Sequence, residues 1–274
     1  MSFKVAIFYQ RHMKHQRHYL TKAKDGFVRH GIIPHESDLS SVIECDLACI
    51  WGHNNAKQRI IEQQRRNGVD YLVFERGYVG DRKKFASVGY NGLNGRAVFY
   101  ASGMPSARWA EMFPTMMKPY RTGGEYILLI GQVIGDASLA GVDFRRWARE
   151  SVEQIRAAFP NDEIRWRPHP VEVERKCEYE LPHTVMSKRL LSADLDGAKC
   201  VVTFNSNTAV ESVLAGVPTV TMDRGSMARS VTGHEIGSLQ TLAREQWCAD
   251  IAYKQWAEQE ISNGDTWEHL KQRY

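Results

Sequence analysis

The run from Val201 to Thr221, Val-Val-Thr-Phe-Asn-Ser-Asn-Thr-Ala-Val-Glu-Ser-Val-Leu-Ala-Gly-Val-Pro-Thr-Val-Thr, constrains this chain more than any other segment. Apolar Val201 and Val202 lead into four small polar residues, Asn205, Ser206, Asn207 and Thr208. A short amphipathic stretch then stops at Gly216, and a second apolar run follows Pro218. Small hydroxyl and amide residues ahead of a periodic apolar segment cap a helix, and a glycine behind it ends one. The stretch therefore reads as strand, helix, strand, a crossover that belongs in a parallel sheet. Open amides at such a helix start, aided by the macrodipole, form an anion site. Glu211, one turn in, is placed to accept a hydroxyl; an exposed helix face is its ordinary alternative. An ordinary crossover without a ligand is the competing reading of the whole stretch.

Two further segments share this texture. In Ile164-Arg-Trp-Arg-Pro-His-Pro-Val171, Arg165, Arg167 and His169 stand at the end of a strand that Pro168 and Pro170 terminate. In Tyr126-Ile-Leu-Leu-Ile-Gly-Gln-Val-Ile-Gly-Asp-Ala-Ser138 an apolar strand runs out at Gly131 into Gln132 and Asp136. Ligands of open α/β sheets lie beyond the carboxyl ends of the strands, so all three segments point to one edge. Asp136 has an alternative role as a helix cap, and His169 as a strand-end histidine satisfied by backbone.

The first half repeats the alternation. Lys4–Tyr9 is an apolar strand, Thr21–His30 a helix ended by Gly31, and Leu47–Trp51 a strand. Ala56–Asn67 is a helix ended by Gly68, and Tyr71–Phe74 a third strand. The connection from Phe74 to Gly95 reads as a long Gly/Asn-rich loop. Pro105, Pro114, Pro119 and Gly123-Gly124 mark a crossing between domains, and the tail from Leu239 reads as helical. The expected division is 1–115, 125–245, and a helical tail 246–274 that returns to the first domain.

Length and composition agree with that division. The chain has 274 residues, 43% hydrophobic and 25% charged, enough for two ordinary domains. No apolar run approaches the roughly 20 residues that span a bilayer. The opening Met1-Ser-Phe-Lys-Val reads as a first strand rather than a signal peptide, so a cytoplasmic protein (host cytoplasm if viral) without membrane association is expected. Five scattered cysteines offer no zinc-like spacing and read as reduced structural thiols. A net charge of +4 permits a polyanionic partner without demanding one. The charge is uneven, with Arg11-His-Met-Lys-His-Gln-Arg-His18 following the first strand and Arg82-Lys-Lys84 another.

The order and spacing of these motifs resemble the nucleotide-binding half of a GT-B glycosyltransferase. The closest likeness is to the capsule-synthesis transferases that add Kdo, with their Gln-x-x-x-Asp motif (Gln132, Asp136) and His-Pro motif (His169, Pro170). Ser206 and Asn207 stand where related sialyltransferase-like enzymes carry Ser-Ser, so Asn207 is a departure. The likeness covers roughly residues 125 to 225. Phe74-Glu-Arg-Gly-Tyr-Val-Gly-Asp81, Asn91-Gly-Leu-Asn-Gly-Arg96 and the Trp-rich tail are instead similar to compact glycosyltransferase-like proteins of bacteriophages.

This resemblance implies an α/β chain of GT-B type, two Rossmann-like domains with parallel sheets facing a central cleft. The donor is a UDP- or CMP-linked sugar; no cofactor or metal is implied. Donor contacts fall to Gln132, Arg167, His169, Pro170, Asn205, Ser206, Asn207, Thr208 and Glu211. Asp136 is the candidate base or nucleophile, and Glu75 the alternative catalytic carboxylate. Acceptor contacts fall to Arg11, His12, His15, Arg76, Tyr78, Asp81 and Asn91. The basic stretch suits nucleic-acid phosphates or is a solvated helix start; Tyr78 offers a stacking surface or is core. A hydroxymethylpyrimidine in viral DNA is the preferred acceptor and a capsule or surface glycan the other. A sugar-nucleotide epimerase or a non-catalytic nucleotide- or DNA-binding module stands as the reading from a different class.

Overall fold

The computed structural model describes residues 3–10 and 12–274, so the expectation placed on Arg11 lies outside the described residues. The chain forms two compact units, Met1–Glu111 with Cys248–Tyr274, and Met112–Trp247.

In the first unit the run after Lys4 forms β1 (Val5–Phe8), wholly buried. Helix α1 (Lys14–Arg29) starts well before the expected Thr21, because Tyr19, Leu20, Ala23 and Phe27 form one buried face at helical spacing. Most of the basic stretch is thus the opening of a helix rather than a loop. A short β2 (His35–Ser37) precedes β3 (Leu47–Trp51); α2 (Gln58–Asn67) ends on Gly68 in the left-handed region. β4 (Asp70–Arg76) follows. The long loop expected after Phe74 is corrected: it carries β5 (Phe85–Tyr90), paired antiparallel to β4. Its Phe-Ala-Ser-Val-Gly-Tyr sequence is buried on both faces, so no period of two announces it. Helix α3 (Ala107–Met112) ends the N-terminal segment.

The second unit alternates throughout: β6 (Tyr126–Ile130), α4 (Phe144–Ala158), β7 (Glu163–Arg167), α5 (Pro170–Glu174), β8 (Val185–Met186), α6 (Leu191–Gly197), β9 (Ala198–Thr203), α7 (Thr208–Leu214) and β10 (Thr219–Thr221). Asp143 caps α4 by accepting the Arg146 N–H at 3.0 Å, and Phe144, Ala148, Val152 and Ile155 form its buried face. Gly216 is required where α7 ends: its φ is +77°, and a Cβ there would lie 2.0 Å from the Pro119 carbonyl oxygen.

The tail is only partly helical. After α8 (Glu245–Ala252) the chain makes β11 (Gln255–Ala257), then α9 (Glu258–Asn263) and α10 (Asp265–Leu270). The strand forms because the Gln255 amide, fully buried, accepts the Tyr78 and Val79 N–H groups at 2.6 and 2.9 Å and donates to the Val79 carbonyl. The first sheet has the order β11-β5-β4-β3-β1-β2, with β1 to β4 parallel and β5 antiparallel to both of its neighbours, β4 and β11. The second, β10-β9-β6-β7-β8, is parallel throughout. Among the described residues no helix is long and apolar enough to cross a membrane.

Candidate active site

Because β6, β7, β9 and β10 are parallel, the loops after Ile130, Arg167, Thr203 and Thr221 leave the same edge of the second unit's sheet. Asn205 is the centre of that edge and is 4% exposed. Its Oδ1 accepts from Gln132 Nε2 at 2.8 Å, and its backbone N–H donates to Gln132 Oε1 at 3.0 Å. Its Nδ2 donates to the Ser138 carbonyl at 2.9 Å and to Asp223 Oδ1 at 2.8 Å. The Asp223 carboxylate also accepts the Gly225 N–H at 2.9 Å. Gln132 and Asn205 therefore bind each other, rather than projecting as donor ligands. Their work is to fasten the loop after β6 to the turn after β9.

That fastening positions Asp136. Its Oδ1 accepts from Ser138 N–H at 2.8 Å and Ser138 Oγ–H at 2.6 Å, capping the short turn at Ala137–Leu139. Asp136 is exposed, and its Oδ2 holds no bond among the described residues. The cap thus orients the carboxylate and leaves one oxygen for chemistry.

The amides at the start of α7 do not form the open anion site that the sequence suggests. The Ser206 N–H donates to Thr203 Oγ1, Thr208 N–H to Ser206 Oγ, Ala209 N–H to the Ser206 carbonyl, and those of Val210 and Glu211 to the Asn207 carbonyl. What this turn offers a ligand is side-chain chemistry: half-buried Ser206, Asn207 and Thr208, and exposed Glu211, which accepts from Asn207 Nδ2 at 3.4 Å.

Arg167 also departs from expectation. It pairs at 2.7 Å with Asp194, which is fully buried and also accepts from Ser187 Oγ, and it donates to the Arg189 carbonyl. Its charge is neutralised inside the unit, so it is a structural cation rather than a phosphate clamp. Arg165 is likewise engaged, by Glu163 and the Tyr126 ring. His169 caps α5: its Nδ1 accepts the Val171 N–H at 3.1 Å, so the neutral ring carries its proton on Nε2. Pro170 occupies the first helical position, where its missing N–H costs nothing.

In the first unit Glu75 stands near the carboxyl end of β4, half-buried, with Oε1 accepting the Arg76 N–H at 2.9 Å; Arg76 is exposed. Asp81 is exposed and accepts the Lys83 N–H at 3.1 Å within a turn. His12 is exposed. The His15 ring packs edge-on against Tyr19 and Trp51, and burial, then Arg76, His18 and Lys83, hold it below the usual imidazole range. It is a poor phosphate-gripping cation.

Two acceptor expectations are corrected. Tyr78 is 3% exposed and burial pushes its phenol well up, so its ring is core and presents no stacking face. Asn91 lies at the opposite edge of the sheet from Glu75. It bonds the Tyr71 N–H and Asp70, at the amino end of the seven-residue β4, and a strand of that length spans ~20 Å. Its φ of +60° shows the turn role that Asn-Gly announces.

Sequence reasoning missed Asp223, Asp194 and Lys57. The first two follow strand-end or helix patterns that any polar residue satisfies. Lys57 carries no signal at all in Asn-Asn-Ala-Lys, yet it is 1% exposed and its Nζ has no hydrogen-bond partner among the described residues. No disulfide joins any of the five cysteines; burial pushes the thiol of Cys45 up to about 11 and that of Cys200 up to about 12, which leaves no activated thiolate there.

No family model matches the chain, and no curated protein matches it in sequence. Solved structures do match it. Thermosulfurimonas dismutans KpsC, beta Kdo 2,4 transferase, aligns with a TM-score of 0.65 at 15% identity, over 94% of this chain and 92% of that one. KpsC, beta Kdo 2,7 transferase, of the same organism aligns with a TM-score of 0.58 at 15% identity, over 98% and 99%. The fold is of the GT-B kind. At these identities the likeness establishes architecture; the chemistry rests on the residues above.

Proposed function

We propose that this protein transfers a sugar from a nucleotide, with a CMP-linked acidic sugar of the Kdo type as donor and a hydroxyl of a surface glycan as acceptor. The observation that carries this reading is the Gln132–Asn205–Ser138–Asp223 network, which fastens the Asp136 loop to the Ser206–Thr208 turn on one edge of a parallel sheet. The fold shared with two Kdo transferases supports it. His169 Nε2–H and the Ser206, Asn207 and Thr208 side chains hold the donor, and Glu211 accepts a donor hydroxyl. In the reaction the bond from the anomeric carbon to phosphate oxygen breaks, its electron pair leaving with CMP. Asp136 is the carboxylate that meets the developing cation, as nucleophile or as base. As base, Asp136 takes the acceptor proton as the new carbon–oxygen bond forms.

A second reading has its own observation. Exposed His12 precedes α1 and exposed Lys14 and Arg17 open it, and exposed Arg76, Lys83 and Lys84 flank the end of β4. These cations suit phosphates of DNA, in which case a phage-encoded enzyme would glycosylate a hydroxymethylpyrimidine from a UDP-sugar. Incubation with CMP-Kdo and a Kdo-terminated oligosaccharide, and in parallel with UDP-glucose and hydroxymethylated duplex DNA, separates the two by the mass of the product. The first reading expects a Kdo-sized increment on the oligosaccharide, lost in Asp136→Asn. An increment on DNA alone transfers the assignment to the second. Conversion of the nucleotide sugar with no acceptor present identifies an epimerase and removes both.

A further inference from the structure

The donor turn is left without the positive charge that its ligand calls for. A CMP-linked acidic sugar carries a phosphate and a carboxylate, and such groups are held by cations or by open amides. Arg165 and Arg167 are each paired with a carboxylate, and the amides at the start of α7 are closed by their own turn. Other cations near the turn are few. The neighbours of β9 are β6 and β10. The loop after β6, residues 131–143, contains no Lys, Arg or His, and neither does the loop 204–207. Exposed Lys188 and Arg189 leave β8, three strands from β9 and thus about 14 Å away. Arg229 is engaged by the Thr221 carbonyl, to which it donates at 2.6 Å. That leaves Arg224, in the loop after β10.

We propose that Arg224 is the cation of the donor site, its guanidinium pairing with an oxyanion of the nucleotide sugar. The assignment rests on the reading of that edge as the donor site. Arg224 is exposed, whereas Gly225, Ser226, Met227 and Ala228 behind it are all buried. Among the described residues its guanidinium makes no hydrogen bond and no ion pair. Its position is nevertheless fixed by the backbone on either side. The Met222 N–H donates to the Thr203 carbonyl and the Asp223 N–H to the Phe204 carbonyl, both at 3.0 Å. The loop after β10 is thereby tied to the loop after β9 up to the residue before Arg224. The Asp223 carboxylate accepts from Asn205 Nδ2 at 2.8 Å and from the Gly225 N–H at 2.9 Å. The Ser226 N–H closes the turn on the Asp223 carbonyl at 3.1 Å. Arg224 is thus the outermost residue of a closed turn whose first member is bonded to Asn205, the residue before Ser206. With the backbone held and the side chain uncommitted, the planar fork of N–H donors is available to a phosphate or a carboxylate, which it matches in geometry.

The test is an isothermal titration of the whole protein with CMP-Kdo, CMP and cytidine, in wild type and in Arg224→Gln. The fold does not use this side chain, so the Tm of the variant should stay in place. Affinity for CMP-Kdo is expected to fall about tenfold, and affinity for cytidine, which has no anionic group, to be unchanged. A loss that also appears with CMP assigns the guanidinium to the phosphate; one confined to CMP-Kdo assigns it to the sugar carboxylate. Equal affinity of wild type and variant for CMP-Kdo, or an equal loss with cytidine, overturns the proposal and leaves the donor reading standing. If wild type binds no nucleotide, that reading falls, and nitrogen-15 NMR of arginine-labelled protein with pyrophosphate decides the cation separately. A shift of the Arg224 Nε–H signal, assigned by its loss in Arg224→Gln, keeps the oxyanion site; a signal that does not move overturns it.

Discussion

Asn205→Ala is the substitution whose cost follows most directly from the structure. The side chain makes three bonds, from Gln132 Nε2 and to the Ser138 carbonyl and the Asp223 carboxylate, all between 2.8 and 2.9 Å. A neutral buried bond contributes about 1 kcal/mol net and one to a charged group about 2 kcal/mol. Truncation also strands Gln132 Nε2, itself 8% exposed. The sum is a loss of about 4 kcal/mol, or roughly a 10 °C fall in Tm for a unit of this size. Calorimetric melting measures it. Asn205→Asp is the sharper control, since it replaces two donors with an acceptor facing Asp223. It should be worse than alanine at pH 7 and recover as the solution is acidified and one carboxyl of the pair protonates. A Tm within a degree or two of wild type for both variants would refute the network as the element that fixes the Asp136 loop.

Arg167→Met leaves Asp194 as a buried carboxylate without its cation, and a cost of about 3–5 kcal/mol is expected in denaturant unfolding; a fully stable variant that has lost only nucleotide binding would restore Arg167 as a donor ligand. Tyr78→Phe should leave acceptor use unchanged in the transfer assay, because its ring is core. Asp70 is held below the usual carboxylate range: burial opposes this, but bonds from Arg273 and Asn91 prevail. A depressed carboxylate stabilises the fold above its unfolded pKa and ceases to as pH falls through the folded value. Wild type should therefore lose more stability below about pH 4 than Asp70→Asn does, as pH-dependent melting would show.

The second unit was legible because each of its parts has a local cause. Val201–Val202, Pro218 and Gly216 set the crossover, and Asp143 with its apolar stripe set α4. The first unit was less so. β5 has small residues buried on both faces, and β11 exists because Gln255 is bonded to Tyr78 and Val79, far away in sequence. Motif positions such as Gln132 and Asn205 were found, but not their role, since a sequence does not reveal that two polar residues satisfy each other. The same holds for Arg167, whose partner Asp194 lies on another element, and for Lys57, whose burial is purely tertiary.

The most direct test of the central claim is an isothermal titration of the whole protein with CMP, UDP and GDP. The account predicts saturable binding of CMP, retained in Asp136→Asn and lost with Ser206→Ala and Thr208→Ala combined. Binding of UDP alone would contradict the Kdo-type donor and favour the DNA acceptor. No heat with any of the three nucleotides would contradict the reading of this edge as a nucleotide-sugar site.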